Sequence, residues 1–202
     1  MKYLITITGL LCLLWQPIAA QNQTAMLSYP DRAKIKVSTI GQLVTLDTIQ
    51  QQKLITAYVI CSQSSDSVAA DLLKTEKAKD RWQRKINRRW QATLMGTLSD
   101  KQRFKYLTLV TKSQVDSLVT LNMNTLQKSG LYSTEELQSM QKTLVNYHRQ
   151  EQFILERDRY DIASKHENLI WLRTQRPKAY KLCEYIQGLQ QAGALKEGKI
   201  VW

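Results

Sequence analysis

Helix interiors tolerate almost every residue except glycine and proline, and this chain of 202 residues holds only seven of the first and three of the second. Most of them fall between segments whose apolar residues recur every three or four positions. That pairing points to an all-α fold. The spacing predicts a first helix over about 47–62, with Leu46, Ile49, Ala57, Ile60 and Cys61 on one face. A second, over about 66–95, carries Val68, Leu72, Trp82, Ile86, Trp90 and Leu94 and stops at Gly96. A third, over about 100–128, carries Phe104, Leu107, Val115, Leu118 and Leu126 and stops at Gly130. The fourth is long, about 134–173, with Leu137, Met140, Leu144, Leu155, Ile162 and Leu169 in line. A fifth starts near Thr174, takes Pro177 in its first turn and ends near Gly193. The helices are amphipathic, so each needs a partner for its apolar stripe. We expect an extended helical hairpin or bundle that dimerises to finish that burial.

The N-terminus sets the expected compartment. Lys2 precedes an apolar run from Leu4 to Trp15, and Pro17 and Ile18-Ala19-Ala20 follow. This reads as a secretory signal over residues 1–20, cleaved before Gln21. Cys12 lies inside it, but the bulky Leu11 argues against a lipoprotein cleavage site. Export places the protein in the periplasm, and no later run is long enough to make it an integral membrane protein. Residues 21–43 contain Pro30, Gly41 and a short alternation at Ile35 and Val37, and read as a flexible arm with one brief strand. Asn22-Gln23-Thr24 within it fits a glycosylation sequon. Residues 44–195 make the helical domain, and 196–202 are a tail without assignment.

Removing Lys2 leaves 28 basic against 17 acidic residues, a net charge of +11. Outside the cytoplasm such charge suits acidic or unfolded polypeptides, anionic lipid or cell wall, and the compartment argues against nucleic acid. Cys61 and Cys183 remain after cleavage. In an oxidising compartment they are a disulfide candidate; two buried thiols are the alternative.

Three helix starts share one pattern. Leu46-Asp47-Thr48-Ile49-Gln50, Leu98-Ser99-Asp100-Lys101-Gln102 and Tyr132-Ser133-Thr134-Glu135-Glu136 each place an oxygen-bearing cap three residues before Gln or Glu. Each is a capping box, in which cap and third residue bond one another's backbone amides. By itself a box says only that a helix begins. The first two also begin with leucine, lie 52 residues apart, and are separated by a helix, a polar break and a basic helix. With the export signal, Leu46, Asp47, Gln50, Leu98, Ser99 and Gln102 resemble the paired Leu-Thr-x-x-Gln motifs of the Spy- and CpxP-like periplasmic proteins. The resemblance covers about 44–115. Asp47 and Ser99 stand where that family has threonine, and both are competent caps. The resemblance implies a cradle-shaped helical dimer that holds unfolded clients without ATP.

From Lys74 to Lys105 eleven basic residues face only Glu76, Asp80 and Asp100. On a helical wheel they lie mainly opposite the apolar stripe, with Lys85 and Arg89 at its margin near Trp82. The plain reading is a solvated outer face. The functional one is a cationic surface with apolar edges that attracts a chain at long range, with Trp82, Lys85, Arg88 and Arg89 as contact residues. His148 and His166 lie five turns apart on the predicted fourth helix, so both point the same way, toward the centre of its Leu144–Leu155–Ile162 stripe. They read as core or interface histidines, or as a pH switch. A metal site using both needs two antiparallel chains, because they are about 27 Å apart at ~1.5 Å per residue; we expect no metal and no cofactor. No phosphate loop, nucleophile elbow, His-Glu-x-x-His or Cys-x-x-Cys occurs, so we expect no enzyme. The leading expectation is an ATP-independent, chaperone-like binder of unfolded envelope proteins. Alternatives are a regulatory adaptor docking an acidic sensor domain, a periplasmic metal-binding protein, and a basic assembly on anionic lipid.

Overall fold

A computed structural model describes residues 27–196 and 199–200. The expected signal segment 1–20, Cys12 and the Asn22 sequon lie outside them. The fold is all-α. Eight helices are found among the described residues: α1 (Tyr29–Leu43), α2 (Thr48–Ala70), α3 (Glu76–Thr97), α4 (Asp100–Val110), α5 (Lys112–Ser129), α6 (Thr134–Arg157), α7 (Ile162–Thr174) and α8 (Lys178–Gln191). A two-residue antiparallel ladder follows, β1 (Leu195–Lys196) against β2 (Lys199–Ile200), with Leu195 opposite Ile200. None of the described helices is long and apolar enough to cross a membrane. The chain divides into two compact units, Met1–Ile86 and Asn87–Trp202, so the boundary falls inside α3.

In the first unit the expected arm is instead a helix. Ser28 caps α1 by accepting the Asp31 amide at 3.3 Å. Pro30 sits in the first turn, where a missing N–H costs nothing. Ala33, Val37 and Ile40 are buried at helical spacing, while Ile35, half of the supposed strand alternation, is exposed. A short link, Val44–Asp47, returns the chain into α2. Arg32 near the start of α1 pairs with Asp66 near the end of α2 at 3.2 Å, so the two helices run antiparallel. The buried residues of α2 are Leu54 and Cys61; Ile49 and Ile60, placed on the inner stripe from sequence, face solvent. The second predicted helix also breaks. Asp71 caps the end of α2, Leu72 stands 92 % exposed in a turn, and α3 starts afresh at Glu76. The Ser65 hydroxyl bonds Gln83 Oε1 at 2.8 Å, and the Cys61 thiol reaches the Ile86 carbonyl at 3.9 Å. These contacts lay the first half of α3 back along α2.

In the second unit the predicted third helix bends at Thr111. Its buried hydroxyl donates to the Leu107 carbonyl at 2.7 Å, competing with the helix's own amide ladder. Phe104, expected inside, is exposed. Gly130 ends α5 at φ 68°, a left-handed cap that a side chain would strain. The main core joins Val115, Val119, Met123 and Leu126 of α5 with Leu144 of α6 and Ala179, Cys183 and Ile186 of α8. Leu126, Leu144 and Ile186 are fully buried, each worth roughly 1.5–3 kcal/mol of removal from water. Tyr132 and Leu137 flank this core at the start of α6. The predicted fourth helix ends at Arg157. Asp158 caps α6, its carboxylate takes the Asn168 amide at 2.8 Å, and Asp161 caps α7. After this elbow Ile162 is exposed rather than in the stripe. Pro177 stands at the cap of α8, one residue outside it.

Candidate binding surface

The basic helix α3 begins with Thr75, whose hydroxyl accepts the Ala78 amide at 3.3 Å. Glu76 sits in its first turn, where a negative charge suits the helix dipole, and pairs with Lys79 at 3.2 Å. Lys77, Arg81, Arg84 and Arg88 follow at spacings of four, three and four, so they share one face. All four are exposed, as are Lys85 and Arg89.

The four contact residues singled out from sequence meet different fates. Trp82 is 47 % exposed, and the Lys85 ammonium lies 4.7 Å from its ring centroid, a cation–π pair one turn long. Arg88 is not uncommitted: its guanidinium meets Asp161 at 2.6 Å and ties α3 to the α6–α7 elbow. Burial opposes ionisation of Asp161, but the Ser164 hydrogen bonds and Arg88 together hold its carboxyl below the usual range. Arg89 stays exposed. Among the described residues no ion pair involves Arg81, Arg84, Lys85 or Arg89. Lys77, Arg81 and Arg84 belong to the basic run read from sequence but not to its four contact residues, although their spacing already places them in one row.

Near the elbow a cleft of about 190 Å³ is lined by Arg88, Met95, Arg157, Asp158, Tyr160 and Asp161. Its charges answer each other, Arg88 with Asp161 and Arg157 with Asp158 at 2.7 Å, so it offers no net field to an anion.

No protein-family model, no curated protein and no solved structure matches this chain. Asp47 accepts the Gln50 amide at 2.8 Å while Gln50 accepts the Asp47 amide at 3.1 Å. Ser99 and Gln102 exchange the same bonds at 3.3 and 2.8 Å. Leu46 and Leu98 are buried beside them.

The histidines are not a matched pair. The elbow interrupts the register between them: His166 is exposed on α7, and His148 on α6 is 2 % exposed. The Asn122 amide of α5 donates to His148 Nε2 at 2.8 Å, and His148 Nδ1 donates to Glu151 at 3.1 Å. Nε2 thus faces a donor and Nδ1 an acceptor. The Tyr147 and Tyr180 rings pack at 5.5 and 5.6 Å, and burial raises both phenols above their ordinary range. Arg176 lies 5.1 Å over Tyr180 and pairs with Glu184 at 3.2 Å.

Cys61 and Cys183 are buried thiols, not a disulfide. Each sulfur is directed at a backbone carbonyl within its own unit, Ile86 for Cys61 and Asn122 at 3.6 Å for Cys183. Burial pushes the Cys183 thiol up to about 11. Among the described residues no cluster of three or more His, Cys, Asp or Glu side chains is placed to hold a metal.

Proposed function

We propose that this is an exported, non-enzymatic helical protein that binds unfolded envelope polypeptides without ATP, through the basic face of α3, and works as a dimer. One observation carries the reading. Arg81, Arg84 and Lys85 are exposed and outside every ion pair of the described residues, and Trp82 stands exposed among them. An unpaired cation in water retains its full long-range field, which acts over about 8–10 Å at physiological to moderate ionic strength. It draws in a chain with acidic segments; Trp82 and the aliphatic stems of the arginines then offer apolar contact without demanding one sequence. The resemblance of the two leucine-led capping boxes to the Spy- and CpxP-like motifs supports the same reading.

The test is aggregation of a chemically unfolded acidic protein, followed by light scattering with and without the chain from Gln21, in the absence of ATP. Suppression at equimolar ratios or below, weakening as salt rises, is expected. The triple change Arg81→Glu, Arg84→Glu, Lys85→Glu should abolish it while leaving the circular dichroism spectrum unaltered. Unchanged suppression by that variant refutes the proposed surface, and no suppression by the parent chain refutes the function.

A further inference from the structure

The turn between α2 and α3 presents its two leucines to solvent almost without cover. Leu72 is 92 % exposed and Leu73 is 97 % exposed. The turn is a built one. The Leu73 amide donates to Asp71 Oδ1 at 2.9 Å, and the Lys74 ammonium bonds the other oxygen of the same carboxylate. These bonds hold the Asp71 carboxyl below its usual range, Lys74 contributing most. Thr75 then caps the following helix. A chain that fastens its backbone here and leaves two apolar side chains outward forgoes the burial that leucine ordinarily finds.

Charge around the turn is net positive once local pairs are removed. Asp71 bonds Lys74 and Glu76 bonds Lys79. What remains on α3 up to the unit boundary is Lys77, Arg81, Arg84 and Lys85 against Asp80. The first three cations share one helix face and begin within one turn of the leucines.

We propose that the Leu72–Leu73 turn inserts into the surface of an anionic lipid bilayer, with Lys77, Arg81 and Arg84 lying against its headgroups. Shape decides between a bilayer and a polypeptide. A side chain exposed above nine-tenths has no neighbour to form the wall of a groove, so a single extended peptide covers little of it. A bilayer surrounds a protruding tip on every side and supplies negative charge beside it. This inference goes beyond the polypeptide-binding reading and uses different apolar residues.

Sedimentation with sucrose-loaded vesicles tests it, comparing pure phosphatidylcholine with vesicles in which about a third of the lipid is phosphatidylglycerol. The chain from Gln21 is expected to bind only the anionic vesicles, less as salt rises. Leu72→Ser with Leu73→Ser should weaken partition at least ~10-fold, since each leucine removed from water is worth roughly that much. Both positions are solvent-exposed, so the variant keeps its fold, which a thermal melt checks. Leu73→Cys carrying a polarity-sensitive dye should shift its emission to the blue on anionic vesicles alone. Absence of binding to anionic vesicles overturns the proposal. So does binding that the double serine variant leaves unchanged. A double serine variant that keeps vesicle binding but loses aggregation suppression in lipid-free buffer assigns the tip to polypeptide and also overturns it. Aggregation suppression in that buffer reads the polypeptide function independently.

Discussion

Replacing Asn122 with alanine strips His148 Nε2 of the donor it faces, at a site where the imidazole is 2 % exposed. A buried acceptor left unpaired costs ~1–3 kcal/mol, so Asn122→Ala is expected to destabilise the fold by roughly 2 kcal/mol. His148→Phe keeps the ring volume and removes both nitrogens. It strands the buried Asn122 amide, at a cost in the same ~1–3 kcal/mol range, while Glu151, partly exposed, turns to water. The double variant leaves neither group searching for the other. Its cost should fall short of the sum of the singles by about 1–2 kcal/mol. Urea titrations followed by far-ultraviolet circular dichroism measure all four corners of the cycle, and each kcal/mol should also move Tm by a few degrees. Single costs that add to within ~0.5 kcal/mol would refute the argument, because independent sites behave that way.

Other outcomes follow from the same geometry. Hydrogen bonds from Ser133, its backbone amide first, hold the Glu136 carboxyl below its usual range. The folded value is therefore lower than the unfolded one, about 4.3. The stabilisation is complete above that pH and is lost as pH falls through the folded value, so Glu136→Gln should flatten the acid limb of a stability–pH curve; an unchanged limb contradicts this. The buried Cys183 thiol, raised to about 11, should alkylate about 100-fold more slowly than the unfolded chain in mildly alkaline buffer, a comparison best made in a Cys61→Ser background. Equal rates would show that the thiol is accessible. At Gly130, with φ 68°, alanine should cost about 1–2 kcal/mol and asparagine less. A denaturant midpoint unmoved by alanine would mean that the turn adopts another backbone.

Local chemistry was legible in the sequence and distant chemistry was not. A capping box spans four residues, and the boxes at Asp47, Ser99 and Ser133 open α2, α4 and α6. Gly130 marks its own stop. Pro30 suits a first helical turn as well as an arm, and only the cap at Ser28 separates the two; the alternation of Ile35 and Val37 masks the helical spacing of Ala33, Val37 and Ile40. The breaks at Asp71, Thr111 and Asp158–Asp161 contain neither glycine nor proline. They are made by side chains bonding nearby groups, and those residue types also occur inside helices. The row Lys77, Arg81, Arg84 could be read from spacing alone. The engagement of Arg88 with Asp161 spans 73 residues and that of Asn122 with His148 spans 26. No periodicity encodes either, because each depends on where α6 turns and on how α5 and α6 pack.

The links Val44–Asp47 and Gly130–Ser133 each close a helical hairpin over very little chain. Partners that close in sequence find one another early, since little loop entropy opposes them. A chain emerging N-terminus first can complete the α1–α2 hairpin before α5 exists, and can pair α5 with α6 before α8 follows. The wall that Tyr180 and Cys183 place beside His148 and Asn122 belongs to α8. Until α8 docks, the imidazole lies open on that side, so its enclosure reports the docking of α8 on the α5–α6 hairpin.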